Sequence, residues 1–406
     1  MKIAIIVNLF PSLSETYILN QIVTLIDKGE EIKIIAHANP YENTMQNEVE
    51  KYALLNKVYY YNIPYNKLFR ICRAIKIILK NTFKHPIAIF KTLNFLKYKK
   101  LALSLRLLFY IEPFIEERFD IIHCHFGPNG EIVACIKEIL RFNTKIVTTF
   151  HGYDLRLGID KGHTVYKHLF KQGDLFLYIS NYTKDLLLSF GIDPSKLDYL
   201  PIGIDLEKFH FKWNKKNDIK NNCNINIITI ARLVEEKGLF YGIKAVEQII
   251  NKYNNYYNIK YNIIGYGKLY KPLMDYIYSI NMQKNIILFG GKNSDEIIKY
   301  LENSDIFLLP SINESFGVVL LEAQAIGLPI VATNVGGIKY AIIKNKSGFL
   351  VPEKDVDALA EKMEYLINHP EIWPEMGKAG RKYVETNYDI KKINNKLCEV
   401  YKLILD

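Results

Sequence analysis

The residues best placed to do chemistry lie in one short stretch, Glu314-Ser315-Phe316-Gly317, followed by Glu322. An apolar run at 306–309 precedes it, and Val318-Val319-Leu320-Leu321 leads into the second carboxylate. If those eight steps are helical, a rise of about 1.5 Å each sets the two backbones roughly 12 Å apart. A hydrolase acid/base pair keeps its carboxyls roughly 5–9.5 Å apart, so that chemistry does not fit. Two carboxylates gripping opposite ends of one elongated ligand do fit. A helix start lies between them, and its free N–H groups favour a phosphate. Sugar, diphosphate and ribose, in that order, would fill the space.

Other candidates also follow apolar runs. Arg232 comes directly after the run 227–231, and Lys237 precedes a helical pattern. Two cations at such a junction suit a diphosphate, although Arg–Glu and Lys–Glu pairs are also common on surfaces. Gly265, in Gly265-Tyr266-Gly267, permits either close approach of a ligand to the backbone or a plain tight turn. His151-Gly152-Tyr153-Asp154 sets His151 and Asp154 at a strand end, as cleft residues or around a buried structural histidine. A neutral imidazole there can hydrogen-bond a sugar hydroxyl or a phosphate oxygen. His123 and His125 share a strand face, but no third ligand is spaced nearby, and no metal is expected. Ser14, with Glu15 and Thr16, reads equally as a ligand contact or a helix N-cap. The loop from Asn8 to Thr16 has no glycine, which disfavours a dinucleotide enzyme with a G-x-G-x-x-G turn.

Apolar runs alternate with helical patterns along the whole chain, the mark of parallel-sheet α/β domains. Strands are expected at 3–7, 32–37, 121–125, 146–149 and 175–179, then at 227–231, 261–265, 286–289, 306–309 and 330–333. Helices are expected at 16–28, through the block 51–111, at 130–140, and again at 240–250, 270–280, 295–302 and 318–326. The polar stretch 212–222 marks a linker. The expected division is 1–208 for a first domain, 209–225 for the linker, 226–386 for a second domain and 387–406 for a terminal helix. In doubly wound sheets ligands bind beyond the carboxyl ends of strands, where these candidates stand.

A chain of 406 residues exceeds one ordinary core and implies two or three domains. Five cysteines without a C-x-x-C argue for a reducing compartment, and no run approaches a membrane span. A cytoplasmic protein is expected. The net charge of +10 is local: residues 51–111 carry 13 Lys or Arg and no Asp or Glu. Interleaved with Leu, Ile, Phe and Tyr at helical spacing, these cations suit the anionic inner face of the cytoplasmic membrane, or else helices with solvated basic faces. No nucleic-acid motif accompanies the charge, and no nucleic-acid partner is expected.

Seven landmarks occur in order: Phe10-Pro11 with Ser14-Glu15-Thr16, His123-Cys124-His125-Phe126, His151-Gly152-Tyr153-Asp154, Pro201-Ile202-Gly203-Ile204-Asp205, Arg232 with Lys237-Gly238, Glu314 to Glu322, and Gly336-Gly337. From Lys2 onward the chain resembles the family-4 glycosyltransferases of the GT-B fold, and its Ser-Glu-Thr opening is similar to their exopolysaccharide, capsule and colanic-acid type. The resemblance implies two Rossmann-like domains facing a cleft, the first on the acceptor side and the second binding a nucleotide sugar. It implies a terminal helix crossing back to the first domain. It also implies retaining transfer of a hexose to a saccharide, in all expectation lipid-linked, with no metal and no cofactor beyond the nucleotide-sugar donor.

By the same resemblance, Arg232 and Lys237 bind the diphosphate and neutralise the leaving group, and Glu322 holds the ribose. Glu314 contacts the hexose, with backbone N–H groups of Phe316, Gly317, Val318 and Val319 nearby, and His151 sits by the reacting centre. Two departures stand out: the first loop has Pro11-Ser12-Leu13-Ser14 where many relatives have a glycine pair, and Lys339-Tyr340 replaces a Pro-Glu. The competing readings are a sugar-nucleotide epimerase or phosphorylase of similar architecture, and a non-catalytic sugar-nucleotide-binding protein.

Overall fold

Short runs rich in Ile, Val and Phe form two parallel sheets in the computed structural model, which describes residues 1–12, 15–40, 45–211 and 224–406. Ser14 and most of the expected linker therefore lie outside the described residues. The chain divides into two compact units. One comprises Met1–Ile179, Thr183–Leu200 and Asn394–Asp406, and the other Ser180–Tyr182 and Pro201–Ile393.

The first unit holds seven parallel strands: β1 (Lys2–Leu9), β2 (Glu31–Ala38), β3 (Val58–Tyr60), β4 (Ile121–His125), β5 (Lys145–Phe150), β6 (Leu175–Tyr178) and β7 (Leu197–Tyr199). Their order is β3-β2-β1-β4-β5-β6-β7. The second holds six: β8 (Asn224–Ile230), β9 (Asn258–Ile264), β10 (Ile286–Leu288), β11 (Ile306–Leu309), β12 (Ile330–Thr333) and β13 (Gly348–Val351), in the order β10-β9-β8-β11-β12-β13. Both are doubly wound sheets, as expected. Central strands such as β4, β11 and β12 are buried along their whole length, which is why they read as continuous apolar runs.

Each sheet reverses its winding once, between β1 and β4 in the first unit and between β8 and β11 in the second. Loops leaving the carboxyl ends at such a point diverge and leave a crevice. Asn8, Phe10 and His125 flank the first crevice; Arg232, Lys237 and Glu314 flank the second.

The basic block folds into helices Lys67–Thr82, Pro86–Thr92, Phe95–Leu103 and Arg106–Glu116. Asn66 and Asn94 cap two of them with side-chain oxygens. The terminal helix Ile390–Leu405 starts in the second unit, and from Asn394 onward it belongs to the first. There Asn394 donates to Thr24 at 2.8 Å, and Tyr401 meets His123 Nδ1 at 2.6 Å.

Candidate functional site

In the second unit the site is assembled by loops that hold one another. The backbone N–H groups of Ile312 and Asn313 donate to the Glu236 carbonyl, at 2.8 and 3.1 Å. That contact brings the Lys237 ammonium onto the Glu314 carboxylate as a hydrogen-bonded ion pair, with both side chains largely buried. From the other side, the Gly337 N–H donates to the Glu314 carbonyl at 2.9 Å. Gly336 has φ +50, and a Cβ there would lie 1.9 Å from that same carbonyl oxygen, so the position accepts only glycine.

Sequence reasoning assigned Lys237 to the diphosphate and Glu314 to the hexose; the fold places the two side chains in direct contact. The helix itself begins where it was expected. Residues 314–317 precede it, and it runs over Val318–Ile326, so the estimated 12 Å spacing does not apply to the first half of the stretch. Gly317, at φ +84, occupies the N-cap without a side-chain cap. The first amides of the helix, at Val318 and Val319, thus lack intrahelical acceptors and are open to an anion. Ser315 is half-buried beside them, and the Phe316 ring is an anchor, buried and 5.4 Å from the Tyr388 ring.

Glu322, one turn into the helix, has no hydrogen-bond partner among the described residues, and burial pushes its carboxyl up to about 7. A carboxylate without a partner in such surroundings is costly unless something arrives to bond it. Arg232 is exposed and makes no ion pair among the described residues, which leaves its guanidinium available to a ligand. Gly265 has a structural explanation: at φ +151, its Cβ would stand 1.8 Å from the Ala231 carbonyl oxygen. The loop after β9 therefore packs on the loop after β8 through this glycine, holding Arg232 in place.

The first unit gathers a second group. His123, His125 and His151 stack in series, with ring centroids 4.5 and 5.3 Å apart. Both nitrogens of His123 meet hydroxyls, Tyr401 at 2.6 Å and Thr149 at 2.7 Å. His125 Nδ1 meets His151 Nε2 at 3.1 Å, leaving His125 Nε2 and His151 Nδ1 buried and unpartnered. Burial holds His123 and His151 at about 3, so these imidazoles are neutral near pH 7. In the His125–His151 bond one neutral ring therefore donates and the other accepts.

Asp154 is a correction. Its carboxylate is fully buried and accepts from the backbone N–H groups of Gly127 (2.9 Å), Gly152 (2.7 Å), His151 (3.1 Å) and Leu155 (3.1 Å). With its oxygens so occupied, Asp154 shapes the turn that presents His151 and does not meet a ligand. Its place beside His151 in sequence suggested a cleft residue; three of the amides that surround it belong to its own turn, and the fourth, from Gly127, comes from a distant element.

Tyr17 went unassigned in the sequence, and Glu15 was read only together with Ser14 and Thr16, as a ligand contact or a helix cap. Glu15 occupies the N-cap position of the helix Thr16–Asp27 without a side-chain capping bond, and burial pushes its carboxyl up to about 7. The Tyr17 ring stands 5.1 Å from that of His151, and the Glu15 and Asp154 charges both bear on its hydroxyl.

The chain is also similar to known proteins. Residues 14–208 match the family model described as Glycosyltransferase Family 4, and residues 210–383 match Glycosyl transferases group 1. The chain is 32% identical, over all of both chains, to the putative colanic acid biosynthesis glycosyltransferase WcaL of Salmonella typhimurium. It is 29% identical to an Escherichia coli UDP-Gal:alpha-D-GlcNAc-diphosphoundecaprenol alpha-1,3-galactosyltransferase, over 70% of this chain and 76% of that one. In fold it is similar to Anabaena HepE in complex with UDP and glucose, with a TM-score of 0.71, 15% identity and 99% of each chain covered.

Proposed function

Because this chain belongs to the family-4 glycosyltransferases, we propose that it transfers a hexose, with retention and without a metal, from a nucleotide sugar to a lipid-linked saccharide. The setting is the assembly of bacterial surface polysaccharide, as the name of the Salmonella relative indicates for that protein. The observation that carries the reading is the uncapped helix tip at Gly317, with the unpartnered Glu322 on one side and the Lys237–Glu314 pair on the other. A nucleotide diphosphate sugar supplies what each part lacks. The diphosphate takes the free amides and the exposed Arg232, a ribose hydroxyl donates to Glu322, and the hexose reaches Glu314.

In this reading catalysis is mainly electrostatic. As the bond from the anomeric carbon to the diphosphate breaks, negative charge grows on the leaving oxygen, and Arg232, Lys237 and the helix tip are preorganised to meet it. Lys237 can turn from Glu314 toward phosphate without losing a partner. Neutral His151 offers a hydrogen bond to a sugar hydroxyl. The lipid-linked acceptor rests on the diphosphoundecaprenol named in the E. coli relative. No helix among the described residues is long and apolar enough to cross a membrane. We assign attachment to the inner face of the cytoplasmic membrane to the basic helices of the 51–111 block.

Incubation with a panel of nucleotide sugars, with and without a polyisoprenyl-diphosphate saccharide, tests the reading by mass spectrometry of the products. A saccharide lengthened by one hexose, with donor consumed only when acceptor is present, is the expected result. Donor converted without acceptor would identify an epimerase instead, and binding without turnover a carrier.

A further inference from the structure

The helices Lys67–Thr82, Phe95–Leu103 and Arg106–Glu116 enclose a groove of about 590 Å³ that the transfer site does not account for. Lys67, Arg70, Lys100 and Arg106 line it together with Ser104, between leucine and isoleucine walls, and no acidic residue lines it. Four unopposed cations in a concave space repel one another unless an anion joins them.

The backbone is bent to make this arrangement. Lys99 (φ +45) and Leu105 (φ +60) both adopt positive φ although neither is glycine. Such residues are strained, and they bracket the segment that supplies Lys100 and Ser104, with Arg106 directly after it. Around the groove large apolar side chains face water: Leu68 is 73% exposed, Phe69 70% and Leu103 70%. Large apolar side chains so exposed beside a groove mark a surface suited to being covered.

One of the lining cations, Arg106, lies near the carboxyl end of β2. Burial chiefly, with the nearby Arg106 charge adding to it, holds His37 below its usual range. His37, at the end of β2, bonds Asn129 at 2.8 Å, and Asn129 donates to the His125 carbonyl at 2.7 Å.

We propose that this groove binds the diphosphate of an isoprenoid-linked saccharide, with the lipid chain lying along the exposed apolar rim. The inference rests on the lipid-linked acceptor proposed above. It specifies the residues that read that acceptor's phosphates. A flat anionic bilayer would be met equally well by cations spread over the helices; a recessed cluster of four suits a compact, multiply charged head group.

Flotation of the full chain with phosphatidylcholine vesicles decides the matter. One set carries a polyisoprenyl diphosphate, and the other carries equal surface charge as phosphatidylglycerol. Tighter binding to the first set is expected, with inorganic diphosphate competing for it. The double variant Arg70→Ala, Lys100→Ala should weaken that binding roughly thirtyfold, at about fivefold per cation. Its affinity for nucleotide sugar should stay at the wild-type value, which also shows that the variant is folded. Equal binding to both vesicle types, or undiminished binding by the double variant, would overturn the groove assignment. The vesicle arm judges the groove alone. A wild-type chain that binds no nucleotide sugar would instead defeat the transferase reading.

Discussion

Glu322 and Lys237 behave in opposite ways, and each makes a distinct prediction. Glu322 has its carboxyl raised by burial from 4.5 to about 7. Between those values the folded chain keeps a proton that the unfolded chain has lost, so this group lowers stability as pH rises from 4.5 to 7, and the loss is complete above 7. Glu322→Gln should therefore stabilise the protein at pH 8 by on the order of 2 kcal/mol, less than the full shift implies because the group is partly open to water, and by little at pH 4. Thermal unfolding at the two pH values checks this. The same variant should bind nucleotide sugar roughly tenfold more weakly, through loss of charge-assisted hydrogen bonds to ribose. Lys237→Ala should destabilise by roughly 1–3 kcal/mol, below the range for fully buried pairs, because it strands Glu314. A double-mutant cycle with Glu314→Ala should recover part of that loss; strict additivity would mean that the pair contributes nothing.

At the level of elements, the loops after β8, β9, β11 and β12 are locked by glycines that no other residue replaces. Gly336→Ala should destabilise by roughly 1–3 kcal/mol and displace Glu314, so donor affinity should fall along with melting temperature. An unchanged affinity would show that the loop after β12 does not set the Glu314 position. The central elements were readable in the sequence because strands buried on both faces leave unbroken apolar runs: β4, β11 and β12 match the expected spans. The edge strands β3, β7 and β13 were missed. They are three or four residues long and half-buried, so they carry little apolar signal. Within the site, spacing along the chain identified Glu314, Glu322 and Arg232. It did not reveal the Lys237–Glu314 contact, which joins loops distant in sequence, or the burial of Asp154 and the partial burial of Glu15, which depend on how neighbouring elements pack.

For the molecule as a whole, the two sheets divide the labour. The first unit carries the basic, apolar-rimmed groove and the neutral histidines, and the second carries the cations and amides suited to a diphosphate. The net charge of +10 is thus a concentrated feature of the first unit's helices and not a general property of the surface. Binding of donor to the folded chain must raise its stability, by about 2.7 kcal/mol at 100 times the dissociation constant. The most direct test is a thermal titration of wild type, Arg232→Ala and Lys237→Ala against a panel of UDP-, GDP- and ADP-sugars. At least one nucleotide sugar should raise the wild-type melting temperature in a saturable way, and both variants should lose most of that shift. A wild-type chain indifferent to every donor, or variants that respond as wild type does, would contradict the assignment of this helix tip and its two cations to a nucleotide sugar.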